Sequence, residues 1–156
     1  MTDEDYMRHA LLEAAKGAEE GEVPVGAVAV LDGRILAVSH NCMEQIHDAT
    51  AHAEILLLRK LGSLLGDWRM SDITIYVTKE PCVMCGGAMV NAHLKKVVFG
   101  LRDPRSGAET LGLLNNKSLL YQVESAGGIL EKECKEQFQL FFKNRRNEKK
   151  KVNAII

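Results

Sequence analysis

The 156-residue chain lacks several features that mark specialised classes of protein. It has three prolines and one tryptophan, and no proline-, glycine- or serine-rich stretch forms a linker between domains. No long apolar run or basic leader follows its acidic start, so we expect neither a signal peptide nor a transmembrane helix, and a cytoplasmic protein. The length and the 46% apolar fraction predict one globular domain.

An excess of charge of either sign is also absent. The formal net charge of -1 excludes a global attraction to nucleic acid or anionic membrane, so any polyanionic partner must be bound by a local patch. Four cysteines are too few for a disulfide scaffold in a chain of this length. Two of them, Cys82 and Cys85, are spaced as in metal and catalytic sites, whereas Cys42 and Cys134 stand alone.

The order of the predicted elements favours an α/β fold. A capped helix starts at Thr2 and ends near residues 17–21, and the Asp32-Gly33 turn predicts that the first two strands pair antiparallel. Strands are predicted at 23–31, 34–39, 73–78, 96–100 and 119–124, and further helices at 51–65, capped by Thr50, at 83–92 and at 130–148. This order predicts a three-layer α-β-α domain with one central mixed sheet.

Two short strings place metal ligands at the predicted starts of two helices. They are His52-Ala53-Glu54 and Pro81-Cys82-Val83-Met84-Cys85. One imidazole and two thiolates occupy three positions of a tetrahedral zinc ion, and an open fourth position is typical of catalytic sites. We therefore predict that His52, Cys82 and Cys85 bind one zinc ion per chain.

The carboxylate of Glu54 supplies the group that such a zinc site needs for hydrolysis. Zinc lowers the pKa of water in its open position, and a nearby carboxylate can accept the released proton. Attack on the amine-bearing carbon of a ring, with protons delivered to a ring nitrogen and to the amine, releases ammonia. The combined strings are the signature of zinc nucleobase deaminases, and we predict that Glu54 is catalytic. A redox pair or a structural zinc site is the simpler alternative, although no second cysteine pair exists to complete a zinc ribbon.

Longer segments around these strings resemble the bacterial tRNA-specific adenosine deaminases. The resemblance is carried by residues 22–27 (EVPVGA), 47–54 (HDATAHAE) and 76–85 (YVTKEPCVMC), and it continues through 97–100, 102–103 and 141–146. It implies a cytidine-deaminase-like fold, a homodimer, and conversion of adenosine to inosine at the wobble position of a tRNA anticodon. It also implies that Asn41 binds the flipped base, that Val25 and Ala53 line its pocket, and that Asp103 lies along the nucleic-acid path.

Several of these residues have simpler local explanations. Asn41 and Asp103 are both of the type that forms turns. The helical spacing of three C-terminal phenylalanines, at 138, 141 and 142, favours core contacts over base stacking. Beyond a deaminase domain of residues 1–142, the basic tail of residues 143–156 continues the last predicted helix. Such a tail could bind phosphates, although a charged chain end is usually solvated.

The chain departs from the family pattern where the substrate would be recognised. Ala49 stands where the family usually has proline, Leu120-Tyr121 replaces an Asn-His pair, and residues 107–112 also differ. Two other functions therefore stay open: deamination of a free nucleobase or nucleoside, such as guanine or cytosine, and a non-catalytic zinc- or RNA-binding module. A basic groove leading to Glu54 would favour nucleic acid, and a closed pocket would favour a free base.

Overall fold

The computed structural model describes residues 1–155, which form five helices and five strands. The helices are α1 (Asp3–Glu19), α2 (Met43–Ile46), α3 (Ala53–Leu65), α4 (Val83–Asn91) and α5 (Glu131–Ile155). The strands are β1 (Gly26–Leu31), β2 (Arg34–His40), β3 (Thr74–Lys79), β4 (Lys96–Leu101) and β5 (Glu124–Gly127). None of the described helices is long and apolar enough to cross a membrane.

The five strands form one mixed sheet in the order β2-β1-β3-β4-β5. Strand β1 pairs antiparallel with β2 and with β3, while β4 is parallel to β3 and β5 is parallel to β4. Asp32 and Gly33 both have positive φ, as the tight turn between β1 and β2 requires. The predicted central mixed sheet is therefore confirmed.

Helices cover both faces of the sheet, as the three-layer prediction requires. Side chains of β1 alternate between them: Ala27 and Ala29 pack in a cluster with α3 and α4, whereas Val28 and Val30 pack in a cluster with α1 and α5. This alternation is the two-residue period of a strand buried on both sides. The parallel strands β3 and β4 are joined through α4, so the chain between them carries Cys82 and Cys85 to one edge of the sheet.

Helix α3 begins two residues later than the sequence predicts. The Thr50 hydroxyl donates to the carboxylate of Asp48 at 2.7 Å, so it does not cap the helix. The N-cap is His52, in extended conformation and without a side-chain capping bond, and Ala53 is the first helical residue. The imidazole of His52 is thereby left free for another role.

Strand β5 occupies residues 124–127 instead of the predicted 119–124. The apolar residues before it contact the core without joining the sheet, and the amide of Gln122 donates to the carbonyls of Asn116 and Leu119, which folds this segment into a turn. In β5 itself, Gly127 leaves the space that the ring of Phe99 occupies. Helix α5 continues past its predicted end at residue 148. It is also continuous across residue 142, the predicted end of the deaminase domain.

Candidate active site

The predicted zinc ligands lie at the N-termini of two helices on the same face of the sheet. His52 is the N-cap of α3, and Cys82 is the N-cap of α4, directly after β3 and Pro81. Cys85 lies one turn into α4, and its side chain is buried. Because the N-terminus of a helix carries partial positive charge, both helices favour thiolates and other anions at this point.

The three donor atoms have the spacing that a tetrahedral metal requires. The Nδ1 atom of His52 lies 3.4 Å from Sγ of Cys85 and 3.6 Å from Sγ of Cys82, and all three donors lie within 4.8 Å of one another. Tetrahedral bonds of about 2.0–2.3 Å to zinc separate ligand atoms by about 3.5 Å. The donor set of one imidazole and two sulfurs, with the fourth side toward a cavity, therefore fits a catalytic zinc ion.

Hydrogen bonds within the cluster shift the pKa values of all three potential ligands. A hydrogen bond from Cys85 and a further one from His52 lower the pKa of Cys82 to about 3, although burial opposes this shift. The same bond to Cys82, together with burial, raises the pKa of Cys85 well above its usual range. The hydrogen bond with Cys82 also raises the pKa of His52. The lowered pKa of Cys82 favours its thiolate, which is the form in which a cysteine binds a metal.

Glu54 is the second residue of α3, and its carboxyl group is buried beside the cluster. Its residue is only 3% exposed, and burial raises the pKa of this carboxyl above its usual value, against the lowering effect of its own backbone amide and of His52. A carboxyl group whose pKa is shifted toward neutrality can both accept and donate protons during one reaction. Glu54 therefore has the environment of a proton shuttle.

These groups line a cavity of about 180 Å³. It is smaller than the roughly 300–1,000 Å³ of sites that hold drug-sized ligands, and its size suits a single flat ring system. The walls combine two residues of the metal cluster and Glu54 with apolar and polar side chains from four other segments: Val23, Val25, Asn41, Met43, His52, Glu54, Lys79, Glu80, Cys82 and Phe138.

Asn41 has a structural contact and also lies at the cavity. Its Oδ1 accepts a hydrogen bond of 2.8 Å from the backbone amide of Ala53, the first residue of α3. Within residues 1–155 its Nδ2 makes no hydrogen bond, although Asn41 is only 6% exposed and lines the cavity. The side chain therefore stabilises the helix start with its oxygen, and its role toward a substrate stays a prediction.

The other predicted substrate contacts lie at different depths. Val25 is buried and lines the cavity. Ala53 has a fully buried side chain that packs in the core cluster, next to the cavity residues His52 and Glu54. Asp103 does not line the cavity, but its carboxylate binds the ammonium of the cavity residue Lys79 at 3.2 Å. Their roles toward a substrate stay predictions.

Comparison with known proteins agrees with this geometry. The family model described as MafB19-like deaminase matches residues 1–150.

The chain belongs to this deaminase family. The deaminase is 44% identical to the tRNA-specific adenosine deaminase of Bacillus subtilis (strain 168), over 95% of this chain and 93% of the relative. It is 39% identical to the tRNA-specific adenosine deaminase of Haemophilus influenzae, over 99% and 91%. These alignments span nearly the whole length on both sides.

Solved structures show the same fold. A structure from a study of A-to-I editing by tRNA:A34 deaminases at the wobble position has a TM-score of 0.81 and 37% identity, covering 85% of the deaminase and 98% of that chain. A guanine deaminase from Bacillus subtilis has a TM-score of 0.62 and 36% identity, covering 65% and 66%. The cytidine-deaminase-like fold predicted from the sequence is therefore confirmed.

Sequence reasoning missed several residues of the deaminase that line the cavity. Met43, Lys79, Glu80 and Phe138 reach it from three different segments. One signal was available for Lys79 and Glu80: they end a strand whose carboxyl end faces the metal cluster, and binding sites of α/β sheets form at such ends. No comparable signal exists for Phe138, because its neighbours across the cavity are distant in the sequence.

A second, larger groove of about 730 Å³ adjoins the cavity of the deaminase. Phe138 lines both, and three basic side chains of α5, Lys135, Lys143 and Arg146, line the groove. The phenylalanines at 138, 141 and 142, which the spacing assigns to the core, are only partly buried. With three basic residues against the one acid Glu136, α5 presents a mainly basic and partly aromatic surface in the groove next to the cavity.

Glu20, His40 and Cys42 form another group of potential metal ligands in the deaminase. Both ring nitrogens of His40 are already bound, Nδ1 to Glu13 at 3.0 Å and Nε2 to Glu20 at 2.9 Å. Burial of Cys42, with the nearby acids, raises the pKa of its thiol. These contacts form a polar link between α1 and the end of β2, with no free nitrogen for a metal.

Proposed function

We propose that the deaminase converts adenosine to inosine at the wobble position of a tRNA anticodon, with zinc held by His52, Cys82 and Cys85. The observation that carries the proposal is one base-sized cavity that brings this cluster together with Glu54 and the free amide of Asn41, and that adjoins a basic groove. The full-length similarity to tRNA-specific adenosine deaminases supports the same substrate.

The metal cluster, Glu54 and Asn41 each have a role in hydrolysis at C6 of adenine. Bound zinc supplies a Lewis acid that activates water for attack on this carbon. Glu54 accepts a proton from the water and delivers it to the ring nitrogen N1. It then takes the second proton from the hydroxyl added at C6 and delivers it to the departing amine. The C6–N bond breaks, a C6–O bond forms, and ammonia leaves, so one water is consumed for each inosine. Asn41 donates a hydrogen bond that orients the base.

The open arrangement of the groove favours an RNA substrate. A base in a strand or loop enters such a cavity by flipping out, while its phosphates stay outside and need cationic contacts. The chain's overall charge of -1 gives no such attraction, but Lys143 and Arg146 of α5 supply it locally. We keep the proposed division into a domain of residues 1–142 and a basic tail of residues 143–156. Lys143 and Arg146 are the tail residues that line the groove.

The departures from the family pattern lie outside the cavity. Leu120 is fully exposed, and the ring of Tyr121 stacks on His93 at 4.4 Å between centroids, near the C-terminal end of α4. Ala49 is exposed in the turn after α2. None of them lines the cavity. The third departure, residues 107–112, does not line it either, but the amide and hydroxyl of Thr110 donate to the cavity residue Glu80.

Deamination of a free base is the second candidate, because the Bacillus subtilis guanine deaminase is 36% identical over 65% of this chain. A substrate panel of zinc-loaded protein separates the two, with ammonia release measured for adenosine, guanine, cytosine and an anticodon stem-loop with adenosine at the wobble position. We expect turnover of the stem-loop alone, and none when guanosine replaces its wobble adenosine. Preferred turnover of a free base would reject the tRNA assignment.

Replacing Glu54 tests its proposed catalytic role directly. Glu54→Ala is expected to lower kcat by at least about 10²–10⁴-fold, since it removes the general acid and base, while metal analysis still finds zinc. Wild-type turnover in this variant would contradict the mechanism and favour the non-catalytic module.

The proposal also includes a homodimer and a cytoplasmic location, which the family resemblance implies. On α4, Met89 and Val90 are buried in the core, whereas Val83 is 51% exposed. The exposed side of this helix, next to the metal cluster, is therefore the part of α4 available to a second subunit.

A further inference from the structure

We propose that Lys79 binds a phosphate group next to the target adenosine and thereby selects a polynucleotide over a free base or nucleoside. This inference rests on the proposed function and names the residue that distinguishes a polynucleotide from a free base or nucleoside. Neither the metal cluster nor Glu54 can make this distinction, because both act on the base alone.

Lys79 is the last residue of β3, and its side chain lines the cavity at 30% exposure. Among the cavity-lining residues of the described chain it is the one lysine or arginine. Two carboxylates, Glu54 and Glu80, line the same cavity and repel an approaching phosphate. A cation at this place is therefore needed if the substrate carries negative charge beside its base.

The ammonium of Lys79 is held in place but not saturated. Its Nζ donates one bond, to Oδ2 of Asp103 at 3.2 Å, and keeps two of its three N–H donors. Asp103 also accepts bonds from the backbone amides of Arg105 and Ser106 and from the Ser106 hydroxyl, at 3.0, 3.2 and 2.9 Å. Although burial opposes them, these bonds hold the pKa of Asp103 below its usual range. Asp103 thus remains a charged anchor that orients the lysine.

The position of Lys79 continues the basic surface of α5. Its Nζ lies 5.4 Å from the ring centroid of Phe138, the residue that lines both the cavity and the groove. With a base in the cavity, the sugar-phosphate chain has to pass this ring before it reaches Lys143 and Arg146. Lysine acts on phosphate as a flexible point charge, which suits a contact to a single phosphate at such a passage.

The chain offers a matched control for this lysine. Lys96, the first residue of β4, is 29% exposed and pairs with Glu124 at 3.7 Å, but it lines neither the cavity nor the groove. Lys79→Met and Lys96→Met therefore remove the same charge from two lysines of nearly equal exposure, each paired with one acid. Only the first change removes it beside the base.

The test measures binding of an anticodon stem-loop in a Glu54→Gln background, so that the RNA is not turned over. We expect Lys79→Met to weaken binding about tenfold at 0.1 M salt and to reduce the slope of log K against log salt by about one. Lys96→Met should leave both unchanged, and Lys79→Arg should keep the slope. Replacing the phosphates that flank the adenosine by neutral methylphosphonates should abolish the difference between Lys79→Met and its parent.

The outcomes separate this inference from the proposed function. If wild-type protein deaminates the stem-loop but Lys79→Met keeps the parental salt slope, the phosphate contact is wrong and the tRNA assignment stands. The same conclusion follows if Lys79→Met loses affinity equally for the phosphate and methylphosphonate RNAs, which would indicate a structural effect through Asp103. If wild-type protein deaminates only free bases, both proposals fail together.

Discussion

At the scale of single residues, Asn41 connects the start of α3 to the cavity. Its oxygen is bound to the amide of Ala53, which restricts the carboxamide, and the side chain lines the cavity. A preorganised donor orients a base without the entropic cost of ordering a side chain on binding. The same bond places the start of α3, and with it His52 and Glu54.

Two substitutions of Asn41 separate these tasks. Asn41→Asp retains an acceptor for the Ala53 amide at a helix N-terminus but lacks the donor, whereas Asn41→Ala lacks both. We expect both variants to lose about 10–100-fold in kcat/KM, and only Asn41→Ala to lose about 1–2 kcal/mol of unfolding free energy. Urea unfolding and stem-loop kinetics measure the two effects. Full activity of Asn41→Asp would show that the donor does not bind the base.

The chemistry-bearing residues could be predicted from the sequence because they lie in two short strings. Metal ligands need particular side chains at particular spacings, and such spacings are visible in a linear chain. The capping of α3 could not be predicted in the same way. Thr50 has the right residue type and spacing for a cap, but Asp48 takes its hydroxyl, and Asn41 serves the helix from another segment.

At the scale of elements, Glu80 organises the loop between β4 and β5. Its carboxylate accepts bonds from the backbone amides of Asp103 and Thr110, each at 2.9 Å, and from the Thr110 hydroxyl. Gly107 lies against this carboxylate, and it also pairs with Cys82 in an isolated bridge. The loop, the cavity wall and one metal ligand are thereby joined around a single buried acid.

This arrangement predicts that Gly107 does not tolerate a side chain. A Cβ at this position would overlap the Glu80 carboxylate and approach the carbonyl of Asp103, so we expect Gly107→Ala to cost about 1–3 kcal/mol of unfolding free energy. Gly62→Ala in α3 is the control, because its Cβ has a nearest neighbour at 3.8 Å and alanine favours helix. Denaturant midpoints compare the two. Equal midpoints would show that the loop does not depend on Glu80.

The elements that the sequence predicts poorly are those stabilised by distant contacts. β5 has the sequence ESAG, which has little intrinsic strand preference, and it becomes a strand by pairing with β4. α2 is a single turn whose amides at Glu44 and Gln45 are bound by the buried carboxylate of Glu22. Glu22 and β4, which stabilise α2 and β5, are distant from them in the sequence. Local patterns therefore predict no helix at α2 and a shifted strand at β5.

At the scale of the whole molecule, the cavity forms where separate layers meet. α3 and α4 bring their N-termini together on one face of the sheet, and α5 adds Phe138 across the cavity. The metal cluster brings together side chains from the starts of α3 and α4. His52 and Cys82 are the N-caps of these helices, and neither side chain makes a capping hydrogen bond. A bound ion would therefore hold the two helices together.

This linkage predicts a large effect of metal removal on stability. Ligands that bind only the folded state stabilise it by about 4 kcal/mol at a thousandfold excess over Kd, which for a domain of this size corresponds to roughly 10 °C in Tm. We expect chelation to abolish turnover and to lower Tm by about that amount, and zinc, but not magnesium, to restore both. Calorimetry of wild-type and His52→Ala protein, each with and without chelator, measures the effect. His52→Ala should melt at the lower temperature in both conditions, whereas Glu54→Ala should keep the zinc-dependent shift, because its carboxylate is not a ligand. A chelator-independent Tm in the wild type would mean that the cluster is held together by its own hydrogen bonds and not by a metal.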